Sequence, residues 1–570
     1  MDSLNETQVI LSVDVGSSSI RCSAYEYNSD STACDFRVSA LNNCKSICKI
    51  SCIRPGYGHI ILSRSIHSED SGASVYLLDD IDNCINECVE KLRSHYEHTS
   101  FSIISIGLTT FVMNLIAIDN HGNACGEKMT LSYACNRVEV NNVCHRLKME
   151  LGPEEERVLY SRTGAPIHSA YAVPQILALI ESAPPGALKQ INKWTTLGSL
   201  YIARLTGKDS IPISYSEASW TGMLNYRTGQ WDSMCMGLLP QDVVSMLPKV
   251  QDSNTPHFQL GESYRVKWPE AKDACIHLAV GDGACANIGS KCTTPDRIAV
   301  TVGTSAAARI CLTLPLCEHD ISSDKLPSDV RVPYGLFCYR VNSSTILIGG
   351  ALTDGGSVMA WLRNLFNLHK EEEWKSTLDT VSRCYETVRN RSDDESSHSH
   401  SQKELAFVPF LSGERSTGYR SEASGCISGF NLHTKSSDIV REAMEGIILR
   451  IDAIIDLIQS ICKNRNPSVM SNACIIASGN ALESNETWRS MLADCSCLPV
   501  LLDHDTSEGT SRGVAIMIAE ALNSKSDVLP MEPLVNCLET PYSSGASSYW
   551  SQKKKKQDEI IHAISLTWSK

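Results

Sequence analysis

Short apolar runs bounded by turn residues recur in both halves of the chain. Residues 8–15 are apolar and rich in β-branched side chains. A glycine-hydroxyl turn follows, then a second apolar run at 20–27. This pattern predicts strand, turn and strand. Residues 78–92 carry apolar positions at helical spacing, and 102–108 and 115–118 predict strands with a turn at 120–123. In the second half, 297–302 predicts a strand. Ile439, Ala443, Met444, Ile447, Ile451, Ile454 and Ile458 form one stripe of a long helix. Residues 474–477 predict a buried strand running into Ser478-Gly479-Asn480, and 487–492 a helix. The polar stretch 389–402 predicts a loop insertion. A metal at His398 and His400 is the competing reading there.

The two halves echo each other. Val13-Asp14-Val15-Gly16-Ser17-Ser18 is matched by Val300-Thr301-Val302-Gly303-Thr304-Ser305, and an arginine follows each (Arg21, Arg309). An internal duplication accounts for the match; chance likeness of two strand-turn segments is the alternative.

Composition narrows the class. With 570 residues the chain exceeds one ordinary core. Hydrophobic content of 42% and charged content of 20% suit a globular enzyme. A formal charge of −14 argues against nucleic acid as partner. No apolar run is long enough for a membrane span and no signal peptide is apparent, so a cytoplasmic protein is expected. The 24 cysteines show no Cys-x-x-Cys pair. They read as reduced apolar fillers, with a structural zinc or a redox switch as the alternative. The run Lys553 to Lys556 reads as a solvated helix face or tail, or else a targeting or anion-binding patch.

The paired turns suggest chemistry. A polyphosphate needs many N–H and O–H donors at short range, and glycine lets backbone approach closely. Gly16, Ser17, Ser18, Gly303, Thr304 and Ser305 supply such turns, with Arg21 nearby. Asp14 stands where the second copy has Thr301, and one carboxylate can hold Mg²⁺ through water. An Asx-type turn residue is the competing reading. Phosphoryl transfer also needs a base near the acceptor hydroxyl. Asp282, between Gly281 and Gly283, is the candidate, against a purely structural turn aspartate.

At these residues the chain resembles the FGGY family of carbohydrate kinases. The resemblance covers Asp14 to Arg21, Gly281 to Gly289, Thr301 to Ser305, Gly425 to Phe430 with the following Asp438 to Gly446, and Ala477 to Ala481 with Trp488 and Asp494. It implies an α/β fold of two ribonuclease-H-like, actin-like ATPase domains, with the active site in the cleft between them. The expected division is 1–293, 294–540 and a tail at 541–570. It implies Asp282 as catalytic base, Asp14 near Mg²⁺, and ATP as co-substrate. Gly356, Ala360, Gly479, Asn480 and Ser484 fall where the family binds the nucleotide. A homodimer is compatible with it.

Within the family the chain looks most like gluconokinases, through Thr163 to His168, Tyr171 to Pro174, Tyr201 to Gly207, Ser216 to Leu224 and Phe410 to Ser416. Gluconate phosphorylated to 6-phosphogluconate is the favoured expectation. A ketopentose or polyol kinase, or a non-catalytic relative that keeps ATP binding, is the alternative. The resemblance places Met113, Asn114, Asn136, Arg137, Tyr171 and Asp282 in the sugar pocket. Several of these depart from the usual pattern: Val112-Met113 replaces an aromatic-histidine pair, Asn136 follows Cys135 in place of an aspartate, and Gln175 stands for lysine. Glu442 stands for a small residue. Asn480 stands for a second glycine and tolerates left-handed backbone better than most residues.

Overall fold

The computed structural model describes residues 6–16, 19–27, 44–53, 73–126, 129–132, 138–254, 258–314, 332–389, 405–465, 473–502, 509–522, 537–540 and 545–568. Ser17, Ser18, Asn136, Arg137, His398 and His400 lie outside these segments.

Two mixed sheets form the scaffold. In the first, Thr7–Val15 pairs antiparallel with Ser19–Tyr27, which pairs antiparallel with Cys44–Ile53. On its other side it runs parallel to Phe101–Thr110, which is followed by Cys275–Ile276 and Val280–Gly281. The second sheet repeats this order. Arg297–Val302 pairs antiparallel with Ala306–Thr313, and that strand with Thr345–Leu352. On the other side come Cys474–Ser478 and Val500–Leu502, both parallel. The duplication read from two short segments therefore extends to whole sheets.

The register refines the sequence parallel. Val15 pairs with Ile20, whereas Val302 pairs with Ala306, so the first turn is one residue longer. Asp14 faces Arg21, but Thr301 faces Ala307. Arg309 lies two residues further along and faces Ala299. The two arginines that looked equivalent are not: Arg21 sits one residue from the first turn's pairing end and Arg309 deeper in the sheet.

The striped helix is Ser436–Arg465, and all seven predicted positions are buried. They pack with Ile298, Val300, Ile346 and Ile348 of the second sheet. The helix read at 78–92 is Ala73–His95, against the first sheet. Residues 114–246 add an apolar cluster around Leu115, Leu147, Ile176 and Trp194.

The lysine run corrects a reading. It belongs to a helix, Gly545–Trp568, but Lys553 is only 7% exposed. Its Nζ donates to Glu442 at 2.5 Å and lies 3.1 Å from Glu445. Lys554 donates to Asp452 at 2.9 Å and pairs with Asp456. Glu442 and its lysine thus form a buried bridge between the last helix and Ser436–Arg465. No described helix is long and apolar enough to cross a membrane.

Candidate active site

Three strand ends of the first sheet converge. Asp14 is level with Thr109, and Thr109 with Val280, so Asp14 and Val280 lie two strands apart, roughly 10 Å. Asp282 follows at once and opens the helix Asp282–Gly289. Asp14 is 5% exposed, with Arg21 Nη1 at 3.4 Å. Both carboxylates act on the buried Cys285 thiol, which burial first of all pushes upward.

The glycines around Asp282 have a steric reason. A Cβ on Gly281 would stand 2.8 Å from Trp220 Nε1 and 3.0 Å from Val112. One on Gly283 would stand 3.2 Å from the same indole ring. The Asp282 loop therefore lies flat on Trp220. Ser216 Oγ accepts from Gly281 N at 3.0 Å, one turn before Trp220 on the helix Tyr215–Trp220. Burial raises the Asp282 carboxyl to about 6, against the opposing pull of Arg309 and of the Gly283 N–H. A carboxylate so tuned accepts a proton more readily than an exposed one.

The second turn is braced by its neighbours. Gly303 N donates to Ser305 O at 2.9 Å, much as Gly16 N donates to Ser19 O at 2.9 Å. Gly356 N donates to Gly303 O, and Gly355 N and Ser357 N to Thr304 O. A side chain at Gly356 would meet Gly303 O at 2.7 Å, and one at Gly479 would meet Val302 O at 2.6 Å. Thr301 and Ser478 share a hydroxyl bond at 2.9 Å. Gly303, Thr304, Ser305, Gly356 and Gly479 are thus brought together, with Thr304, Ser305 and Asn480 exposed. Ala360 is exposed one turn along Gly356–Leu365, and Ser484 Oγ donates to Asn480 O at 2.6 Å. Left-handed backbone falls at Gly479, with φ of 90°, and Asn480 opens a helix; the replacement at 480 needed no special backbone tolerance.

The sugar-side candidates divide. Tyr171 is buried, and its hydroxyl meets that of Tyr339, from the second half, at 2.5 Å. Tyr339 stacks on Trp220 with centroids 4.2 Å apart, linking Tyr171 to the base loop. Asn114 is committed elsewhere: its Nδ2 donates to Phe111 O at 2.5 Å and its Oδ1 accepts from Leu197 N at 2.7 Å. Met113 packs into the apolar cluster of residues 114–246. Both are structural side chains here. Gln175 donates to Ser132 O and Ser169 O and accepts from Ser132 N, a double role that lysine, having no acceptor, could not fill. Gly164, with φ of 66°, lies so close to Cys338 O that no side chain fits; its carbonyl accepts from Cys338 N at 2.9 Å. Trp220, Tyr339 and Arg415 were missed as site residues. Only their place in quoted segments (216–224, 410–416) could have pointed to Trp220 and Arg415, and nothing local marked Tyr339.

Among the described residues no cluster of three or more His, Cys, Asp or Glu side chains could hold a metal. The described cysteines are free thiols, mostly buried.

Two sheets of one topology, with Gly16 and Gly303 at matching strand ends and the Asp282 carboxylate at the edge of the first, form a two-domain, actin-like frame. Residues 62–289 match the N-terminal domain, and 298–522 the C-terminal domain, of the FGGY family of carbohydrate kinases. The chain belongs to that family. It is 25% identical to a gluconokinase of Bacillus licheniformis over 448 residues, covering 77% of this chain and 78% of the relative. It is 24% identical to a xylulose kinase of Staphylococcus xylosus over 410 residues, covering 72% and 74%. The crystal structure of gluconate kinase from Lactobacillus acidophilus superposes with a TM-score of 0.73 at 20% identity, covering 99% of each chain.

Proposed function

We propose that this carbohydrate kinase transfers the γ-phosphoryl group of ATP to the terminal hydroxyl of a sugar acid, gluconate being the favoured acceptor. The observation that carries the reading is Asp282, its loop flat on Trp220, two strands across the first sheet from Asp14. Its carboxylate takes the proton of the acceptor hydroxyl. The freed oxygen forms a bond to the γ-phosphorus in line with the bond to the β–γ bridging oxygen, which breaks and leaves with ADP. Gly16, Arg21, Gly303, Thr304 and Ser305 hold phosphates, and Gly356, Ala360, Gly479, Asn480 and Ser484 line the adenosine side. Asp14, a buried carboxylate held beside the first turn by Arg21, suits a water-mediated Mg²⁺. Bound there with ATP, the ion supplies neutralisation of triphosphate charge. Gluconokinases among the relatives support the acceptor assignment.

The test is ADP release from Mg-ATP with gluconate, xylulose, ribulose, sedoheptulose and glycerol. Gluconate should give the highest kcat/KM. A preference for a neutral acceptor, or no stimulation by any, would overturn the reading.

A further inference from the structure

Two arginines near the Asp282 loop and the strand Thr345–Leu352 have no hydrogen-bonded partner among the described residues. Arg309 lies on Ala306–Thr313, facing Ala299 and Gly349. Its stem occupies the space that Gly349 leaves open, for a Cβ there would stand 2.9 Å from Arg309 Cγ. Its Cζ reaches within 3.8 Å of the Cβ position of Gly283, next to the base. Arg415 precedes Ser416, which is pinned to Ala351 by bonds in both directions at 3.0 Å. Both side chains are half-buried. Among the described residues neither guanidinium makes a hydrogen bond or an ion pair.

The acidic neighbour of Arg415 is already engaged. The adjacent Glu414 is taken by Arg420 at 2.5 Å and Arg450 at 3.3 Å. Burial, with help from Arg415, pushes His168 down to about 3, so that ring is neutral. Burial raises the hydroxyls of Tyr171, Tyr339 and Tyr419, with Arg415 opposing each. Arg415 also acts on Arg309, which burial lowers and Asp282 raises. Asp282 by itself does not balance two half-buried cations that act on each other, so a further anion beside them is favoured. The arrangement is completed by a ligand that brings negative charge to the acceptor side, along the aromatic wall of Tyr171 and Tyr339.

We propose that Arg309 and Arg415 together receive the carboxylate of the acceptor and so select sugar acids over neutral sugars. This rests on the sugar-acid reading above. Forked guanidinium donors match a carboxylate in a way a lysine ammonium does not.

The experiment compares gluconate with glucitol, its neutral counterpart, and xylulose, in the full chain and in Arg309→Gln, Arg415→Gln and the two lysine variants. ADP binding and thermal melting check that each is folded. The gluconate-to-xylulose ratio of kcat/KM should fall about 100-fold in each glutamine variant, chiefly through the KM for gluconate. Each lysine variant should recover part of that ratio, and it supplies the reading if a glutamine variant does not fold. An equal loss on all acceptors, or a parallel rise in the KM for ATP, would assign the arginines to the phosphates and overturn the proposal. So would an unchanged ratio. Wild-type protein that turns over only neutral sugars would instead overturn the sugar-acid reading itself. If no acceptor is turned over, calorimetry of gluconate with the ADP-bound protein decides, and absence of binding overturns both.

Discussion

Lys553 donates to Glu442 at 2.5 Å, and both side chains are nearly out of solvent. The pair joins the last helix to the central helix of the second domain. Burial, more than Glu445, raises Glu442 to about 7, while Lys553 and Arg441 oppose the rise. Removing Lys553 takes the nearest cation from two buried carboxylates, Glu442 and Glu445, which keep only the more distant Arg441 as an ion-pair partner among the described residues. Lys553→Met should cost about 3–5 kcal/mol, whereas Lys553→Met with Glu442→Leu should cost clearly less. Denaturation of the two single variants and the double variant measures the difference; additive losses would contradict coupling.

The Asp282 carboxyl stands at about 6, above its ordinary value of about 4. The base works when ionised, so kcat/KM should be level above pH 6 and fall tenfold per unit below it. Asp282→Ala should abolish turnover while ADP still binds. Folding sees the opposite sign: a raised carboxyl favours the folded state when protonated, and that advantage is lost as pH rises through 6. Asp282→Asn should therefore melt higher than wild type at pH 7.5, with the gap closing towards pH 4.

Gly281 and Gly283 differ in clearance over Trp220. Gly281→Ala must displace Trp220 or Val112, whereas Gly283→Ala needs a shift of a few tenths of an ångström. Steady-state kinetics should show the larger loss of kcat for Gly281→Ala. Trp220→Ala should restore turnover to neither variant, because it removes the platform itself.

Two helices meet through bare backbone where Gly289 and Gly513 face each other. A Cβ on Gly513 would overlap Cys285 O, and one on Gly289 would overlap Gly509 O. Gly513→Ala should lower the melting temperature and kcat together. Scanning calorimetry and turnover measured on one preparation check this; loss of neither would mean the crossing yields freely.

What was legible in the sequence was local. The first hairpin, the striped helix and the glycine turn at Gly303 could be read because each depends on residues close in the chain. Asp282 stood out because flanking glycines mark a close approach, although what approaches, Trp220, lies some sixty residues earlier. Asn114 misled because a polar residue in a sugar-site segment carries no sign of its bonds to Leu197 N and Phe111 O. Arg309 was matched with Arg21 although it lies two positions beyond the equivalent place, Ala307, which only strand register reveals. Lys553 looked solvated because its acidic partners lie a hundred residues away on another helix.

The helix Gly509–Leu522 does more than cross Asp282–Gly289. Its Ser511 O accepts from Ser12 Oγ at 2.8 Å, Arg512 Nε donates to Gly289 O at 2.7 Å, and Val514 and Ile518 fill the space above Gly107. One element from the second half of the chain is thereby fastened to the strand bearing Asp14, to its neighbour and to the helix that Asp282 opens. Asp14 and Asp282 then travel as one rigid frame.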